Sequence, residues 1–314
     1  MSHNTPTPLN DEKTSKQRLD CIICNYRLEP NDESAFATFF CDVRAFLGEP
    51  FKVWRCLNCK TIHCLDVVDL DYYYAKYPVT KATFKWPYRL LYGNLCSQLT
   101  RHGFSKTHSL LDYGCGANAL FVQYLRQRGF ANSYGYDPYG HKDGFGDPAT
   151  LQKAPFDYIL IQDVIEHVED PNVLLGKLDN LLAPGGYILI GTPNAANINL
   201  SRPEIPDYYH YMHVPYHLHV YTPEVLESLG KRQGWEPIYF FDHGYDNTIW
   251  PGLNTRTWNV YSSLFDGSLD VIHEPLKLSK ALRSPRFLFY AIFGYWLSLR
   301  LGMAMIFRKS NQSL

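Results

Sequence analysis

The stretch Ser109-Leu110-Leu111-Asp112-Tyr113-Gly114-Cys115-Gly116-Ala117-Asn118-Ala119 decides the fold. It reads as a short buried strand, a glycine turn and the start of a helix. Glycine leaves the turn without a Cβ, so backbone N–H groups can come close to a ligand. Asp112 sits where the strand ends. A second strand, Ser133-Tyr134-Gly135-Tyr136-Asp137, follows the helix and its stop at Gly129. Asp137 closes it, in the place where nucleotide-binding α/β folds put a carboxylate on ribose hydroxyls.

Gly114, Gly116 and Ala119 fit G-x-G-x-x-A, so a dinucleotide site is formally allowed. Asp112 argues against it, because a carboxylate two residues before the first glycine would repel a pyrophosphate. S-adenosylmethionine carries no phosphate; its amino group and sulfonium would be drawn to that carboxylate. The stretch therefore favours a methyl-donor site.

The chain has 314 residues, enough for one large domain and a small one. Lys plus Arg number 30 and Asp plus Glu 31, which gives no long-range pull toward nucleic acid or an anionic membrane. Residues 1–18 are polar, lack a secretory pattern and read as a disordered tail. The eight cysteines are accordingly expected in a reducing cytoplasm, where paired spacing implies metal rather than disulfide.

Residues 19–68 read as a zinc-binding module. Cys21-x-x-Cys24 and Cys56-x-x-Cys59 offer four thiolates for a structural Zn2+. The strand-like segments Phe36–Phe40 and Lys52–Arg55 fill the gap between the knuckles. Cys41, His63 and Cys64 are spares, with His63 or Cys64 as the alternative to a knuckle member. Residues 69–109 form a tyrosine-rich linker, read as a lid over the cofactor, and a helix from Trp86 to Leu99. The main domain spans 110–314. In its polar segment His141–Thr150, too short for a full strand-and-helix layer, Asp143 and Asp147 are candidate adenine contacts. Strand Phe156–Ile161 delivers Gln162 and Asp163 to the carboxyl edge of the sheet, where open α/β sheets bind ligands. A helical segment at Val164–Val168, a helix from Pro171 to Leu182 and the strand Tyr187–Gly191 follow.

Leu111–Gly116, Asp137-Pro138, Asp163–Val168 and Leu182–Gly186 together resemble the successive motifs of class I S-adenosylmethionine-dependent methyltransferases, nearest the branch of ubiquinone-type O-methyltransferases and sugar methyltransferases. The resemblance covers Leu110 to Phe241. It implies a Rossmann-like sheet, with Asp112 and the Gly114–Gly116 backbone at the methionine end of the cofactor. It also implies Asp137 on the ribose, and Gln162 and Asp163 beside the cofactor.

His210, His213, His217 and His219 crowd one loop, read as an acceptor pocket containing a general base, since imidazole titrates near neutrality. Tyr216-His217-Leu218-His219 also resembles the Tyr-His-Glu-His stretch of nucleotide-sugar C-methyltransferases, which likewise begin with a zinc module. That resemblance implies Tyr216 and His219 as catalytic tyrosine and base; Leu218 departs from its glutamate. His167 is the other candidate base. Thr222-Pro223-Glu224 marks a helix start. Residues 242–286 read as an insertion shaping the acceptor site. The apolar run Phe287–Leu299 is too short to span a bilayer. It is expected to form a buried helix before a closing antiparallel strand, with peripheral membrane contact through its aromatic residues as the alternative.

The functional expectation is methyl transfer from S-adenosylmethionine to a small polar acceptor, a sugar or nucleotide-linked sugar. RNA methylation, a non-catalytic binding protein that keeps the fold, and a dehydrogenase are the rivals.

Overall fold

The computed structural model describes residues 16–29, 35–78, 86–139 and 145–311. Most of the tail expected at 1–18 lies outside the described residues, as does Asp143.

The main sheet is built from β4 (Leu110–Tyr113), β5 (Ser133–Tyr136), β6 (Phe156–Gln162), β7 (Leu182–Pro193), β9 (Trp235–Phe241) and β10 (Gly302–Lys309). Its six strands run in the order β5-β4-β6-β7-β10-β9. β5, β4, β6 and β7 are parallel, and β10 enters antiparallel between β7 and β9. Both faces are covered, so the strands are almost continuously apolar. Side chains alternate between two cores. Ile159, Ile161, Ile188, Ile190 and Phe307 face one; Tyr158, Leu160, Leu189 and Ile306 face the other.

Helices α2 (Trp86–Arg101) and α3 (Leu120–Gln127) cover the second face, and α4 (Pro171–Leu181) and α6 (Pro223–Arg232) the first. Asp170 caps α4 by accepting from the Asn172 amide at 2.8 Å, with Pro171 at the first helical position. Thr222 and Pro223 start α6 in the same way. No strand separates β5 from β6 among the described residues. A 3-10 turn, Pro148–Lys153, stands there, and Asp147 caps it through the Ala149 amide. The helix expected at Val164–Val168 is likewise a single 3-10 turn, Ile165–His167.

A small antiparallel sheet joins β1 (Phe36–Phe40), β2 (Pro50–Arg55) and β3 (Ile62–Cys64) to β8 (His219–Val220). β8 thus comes from the histidine-rich loop and pairs Ile62 with Val220 and His63 with His219. Short helices α1 (Leu70–Tyr74) and α5 (Tyr209–Met212) pack nearby. Beyond β9, α7 (Thr255–Ser263), α8 (Asp270–His273), α9 (Leu278–Ala281) and α10 (Pro285–Phe293) surround a small core of Val260, Tyr261, Val271, Ala281 and Phe287. The expectation of a buried C-terminal helix is corrected here. Of α10 only Phe287 is buried, while Leu288, Phe289, Ile292 and Phe293 are exposed. The local reason is the direction of packing: Gly252 and Asn254 donate to the Ala291 and Tyr290 carbonyls, which turns the rest of α10 outward.

Candidate active site

The glycine turn after β4 is a left-handed bend. Gly114 has φ +81 and Gly116 φ +69, a region that side chains rarely adopt. A Cβ on Gly114 would also collide with the Val164 side chain. The Gly116 amide donates to Asp137 Oδ2 at 2.9 Å, and the Tyr139 amide donates to Asp137 Oδ1 at 2.9 Å. Asp137 is thereby fixed at the end of β5 with its carboxylate against the bend. Asp112 is buried at the end of β4, and burial together with the Asp137 charge pushes its carboxyl up to about 7. Gln162 donates to Asp163 Oδ1 at 3.0 Å, and Asp163 sits in the left-handed region at φ +55. Asp112, Asp137, Gln162 and Asp163 therefore converge at the carboxyl edge of the parallel strands. A donor set so rich in carboxylates fits a cationic ligand and opposes a diphosphate.

Tyr74 of α1 reaches this edge. Its ring stacks on Tyr139 at 5.7 Å, and its hydroxyl lies 2.9 Å from His167 Nδ1. His167 Nδ1 is also 3.1 Å from the Tyr216 carbonyl, and burial pushes this imidazole down to about 3. Tyr216 is fully buried and donates its hydroxyl to the Tyr73 carbonyl at 3.1 Å. His217 donates from Nδ1 to the Tyr211 carbonyl, so its Nε2 carries a lone pair 3.9 Å from Glu166 Oε1. Glu166 is fully buried; it accepts from Thr192, and its Oε1 has no hydrogen-bond partner among the described residues. Glu166, His167 and His217 present donor atoms within 4.8 Å of one another, close enough to share a cation.

Asp42 supplies the charge in this cluster. It accepts from His213 Nδ1 at 2.6 Å and from His210 Nδ1 at 2.7 Å. Burial opposes ionisation of Asp42, but the two imidazoles overcome it and hold the carboxyl below the usual range. With Nδ1 donating to Asp42, His213 Nε2 accepts from the Tyr77 hydroxyl at 3.0 Å. Burial holds the Tyr77 phenol well above its ordinary value. On its other side Asp42 borders a cleft of about 320 Å³ lined by His210, Tyr209, Asn259 and Ser262.

The four knuckle cysteines come together. Cys21 Sγ is 3.5 Å from Cys59 Sγ, Cys24 Sγ is 3.5 Å from Cys56 Sγ, and all four lie within 4.8 Å. Sulfurs on a tetrahedral zinc stand about 3.8 Å apart, given Zn–S bonds of about 2.3 Å. Both knuckles share one backbone form: the residues after them, Asn25 and Lys60, have φ 58 and 66 and donate to the Cys21 and Cys56 carbonyls. His63 adjoins the cluster with Nε2 at 3.2 Å from Cys21 Sγ, and its Nδ1 is 2.9 Å from His219 Nδ1. His219 Nε2 faces the Glu169 carbonyl at 3.3 Å. Both nitrogens of His219 are thus engaged within the protein, on the cysteine-cluster side of β8.

Of the residues singled out in the sequence, Tyr216 and His167 meet near the cofactor edge and His219 does not. Sequence reasoning missed Asp42, Tyr77 and Glu166 as polar centres of the cluster. Asp42 carries no local signal, because its partners lie on the far side of the chain. Tyr77 was visible only as one of several tyrosines in the linker.

Residues 85–239, just under half of the chain, match the family model of a methyltransferase domain, and this domain is of the class I S-adenosylmethionine-dependent type. Among its curated relatives, a ubiquinone biosynthesis O-methyltransferase of Xylella fastidiosa is 26% identical over 152 residues, covering 43% of this chain and 51% of that one. Another of that name, from Caulobacter vibrioides, is 33% identical over 104 residues, covering 27% of this chain and 41% of that one. The chain thus spans about half or less of the length of these relatives. Among solved structures, the Haemonchus contortus phosphoethanolamine N-methyltransferase 2, in complex with phosphomonomethylethanolamine and S-adenosylhomocysteine, aligns with TM-score 0.44 and 17% identity over 80% of this chain and 64% of that one. A Mesorhizobium loti S-adenosylmethionine-dependent methyltransferase aligns with TM-score 0.39 and 13% identity over 68% and 96%. Acceptors do not transfer to this chain on likeness of that size.

Proposed function

We propose that the chain catalyses methyl transfer from S-adenosylmethionine to a hydroxyl of a small polar acceptor of the sugar or nucleotide-sugar class. The observation that carries the donor assignment is the left-handed Gly114–Gly116 bend set between the Asp112 and Asp137 carboxylates. S-adenosylmethionine would supply an electrophilic methyl group on a sulfonium. Asp112 would hold the positive methionine end, Asp137 the ribose hydroxyls, and Gln162 and Asp163 the side nearest the acceptor. Tyr74, stacked on Tyr139, would close α1 over the cofactor as a lid. The name of the curated relatives supports oxygen as the acceptor atom.

In this reading the proton leaves by a short relay. The Tyr77 hydroxyl passes its proton to His213 Nε2 as it takes the acceptor's proton, so no free tyrosinate forms, and Asp42 stabilises the resulting imidazolium. Tyr216 and His167 shape the wall of the pocket. His219, expected as a base, takes a structural role beside the cysteine cluster, because neither of its nitrogens faces the cofactor edge. A structural zinc on Cys21, Cys24, Cys56 and Cys59 would cross-link the small sheet. The sulfur spacing and the paired knuckle backbones support it. The reading is tested by scoring S-adenosylhomocysteine release against a panel of hydroxylated sugars and sugar nucleotides. Turnover should depend on the acceptor and be lost in Asp42→Asn, with donor binding retained.

A further inference from the structure

The C-terminal helices expose apolar side chains that their small core does not need. On α10, Phe287 faces inward, while Phe289, Ile292 and Phe293 follow helical spacing on the opposite face and continue into Trp296. Ile292 is 56% and Trp296 65% exposed, well beyond a scattered surface residue. The loop tip at Trp250, itself 59% exposed, is tied to the same helix, since the Gly252 amide donates to the Ala291 carbonyl at 2.8 Å. Leu278 and Leu282, at the two ends of α9, are exposed as well.

Along this segment positive charge predominates. From Glu274 to Arg300 the chain carries Lys277, Lys280, Arg283, Arg286 and Arg300 against Glu274 alone, in a protein of net charge −1. Lys280, Arg283 and Arg286 are exposed. An apolar face of Phe, Ile, Leu and Trp bordered by Lys and Arg matches the interface of an anionic bilayer. It does not match a second copy of this chain, which would bring two basic rims together. Among the described residues no helix is long and apolar enough to cross a membrane, so such contact would be peripheral.

We propose that the α9–α10 face docks on anionic membrane surfaces, with Phe289, Ile292 and Trp296 entering the headgroup boundary and Arg283 and Arg286 on lipid phosphates. The test uses the full chain and co-sedimentation with phosphatidylcholine vesicles, with and without phosphatidylglycerol. Binding should require phosphatidylglycerol and weaken as salt rises. Ile292→Glu should abolish it, and the pair Arg283→Glu with Arg286→Glu should weaken it on the order of tenfold or more. Each variant should bind S-adenosylhomocysteine as the parent does, which shows that its fold is intact. Absence of vesicle binding at low salt would overturn the proposal. So would binding that survives Ile292→Glu, or a dimer in light scattering that Ile292→Glu dissolves. Vesicle binding is read independently of donor or acceptor chemistry, so failure of either proposal leaves the other standing.

Discussion

His63 and His219 face each other across the β3–β8 pairing, Nδ1 to Nδ1 at 2.9 Å, and join the cysteine cluster to the loop of the methyltransferase domain. One of the two must donate and the other accept, so their tautomers are fixed together. Burial pushes both imidazoles below their ordinary range, His219 to about 3. A pair held neutral in this way suits a structural link.

His219→Ala leaves a buried nitrogen of His63 and the Glu169 carbonyl without their partner. The expected loss of stability is about 1–3 kcal/mol. The turnover of the folded fraction should stay within a few-fold of the parent. Thermal melts and initial rates on the same preparation check both; a loss of turnover with unchanged melting would return His219 to the chemistry.

The cysteine cluster predicts one zinc per chain by elemental analysis of protein purified without chelator. Cys56→Ser should lose the metal and loosen the β1–β3 sheet, read as new amide exchange there. Protein that holds no metal yet shows full protection in that sheet would contradict the assignment.

Asp42→Asn, His213→Ala and Tyr77→Phe should each lower the rate of methyl transfer, on the order of 10²–10⁴-fold for the relay as a unit, with donor affinity little changed. Their effects should be less than additive, because in the proposed relay all three serve one proton path. Additive losses, or an unaffected Tyr77→Phe, would remove the relay.

Much of this could be read in the chain before folding. Leu110–Asp112, Phe156–Ile161 and Tyr187–Gly191 are apolar runs flanked by turn signals, and they form the parallel strands. Asp170-Pro171 and Thr222-Pro223 announced helix starts that the backbone honours. The histidine cluster was less legible. Asp42 meets His213 from far away in sequence, and no local pattern encodes such a contact. The burial of His219 was equally hidden, because its neighbours in sequence say nothing of the β8 pairing. The apolar run Phe287–Leu299 signals burial by composition, yet hydrogen bonds from Gly252 and Asn254 decide which side of α10 turns inward.

The most direct measurement is calorimetric titration of the purified chain with S-adenosylmethionine, and separately with NAD, across pH 6 to 8, a window of roughly one unit either side of the raised Asp112 carboxyl. That carboxyl, at about 7 rather than the ordinary 3.8, binds its proton more tightly in the folded state, so the ligand-free protein loses stability as pH rises between those values. A cationic ligand needs the ionised form. Its affinity should therefore fall about tenfold per unit as pH drops below 7, and Asp112→Asn should abolish that dependence. The account predicts one S-adenosylmethionine per chain with this pH profile and no uptake of NAD. Uptake of NAD without S-adenosylmethionine would contradict it.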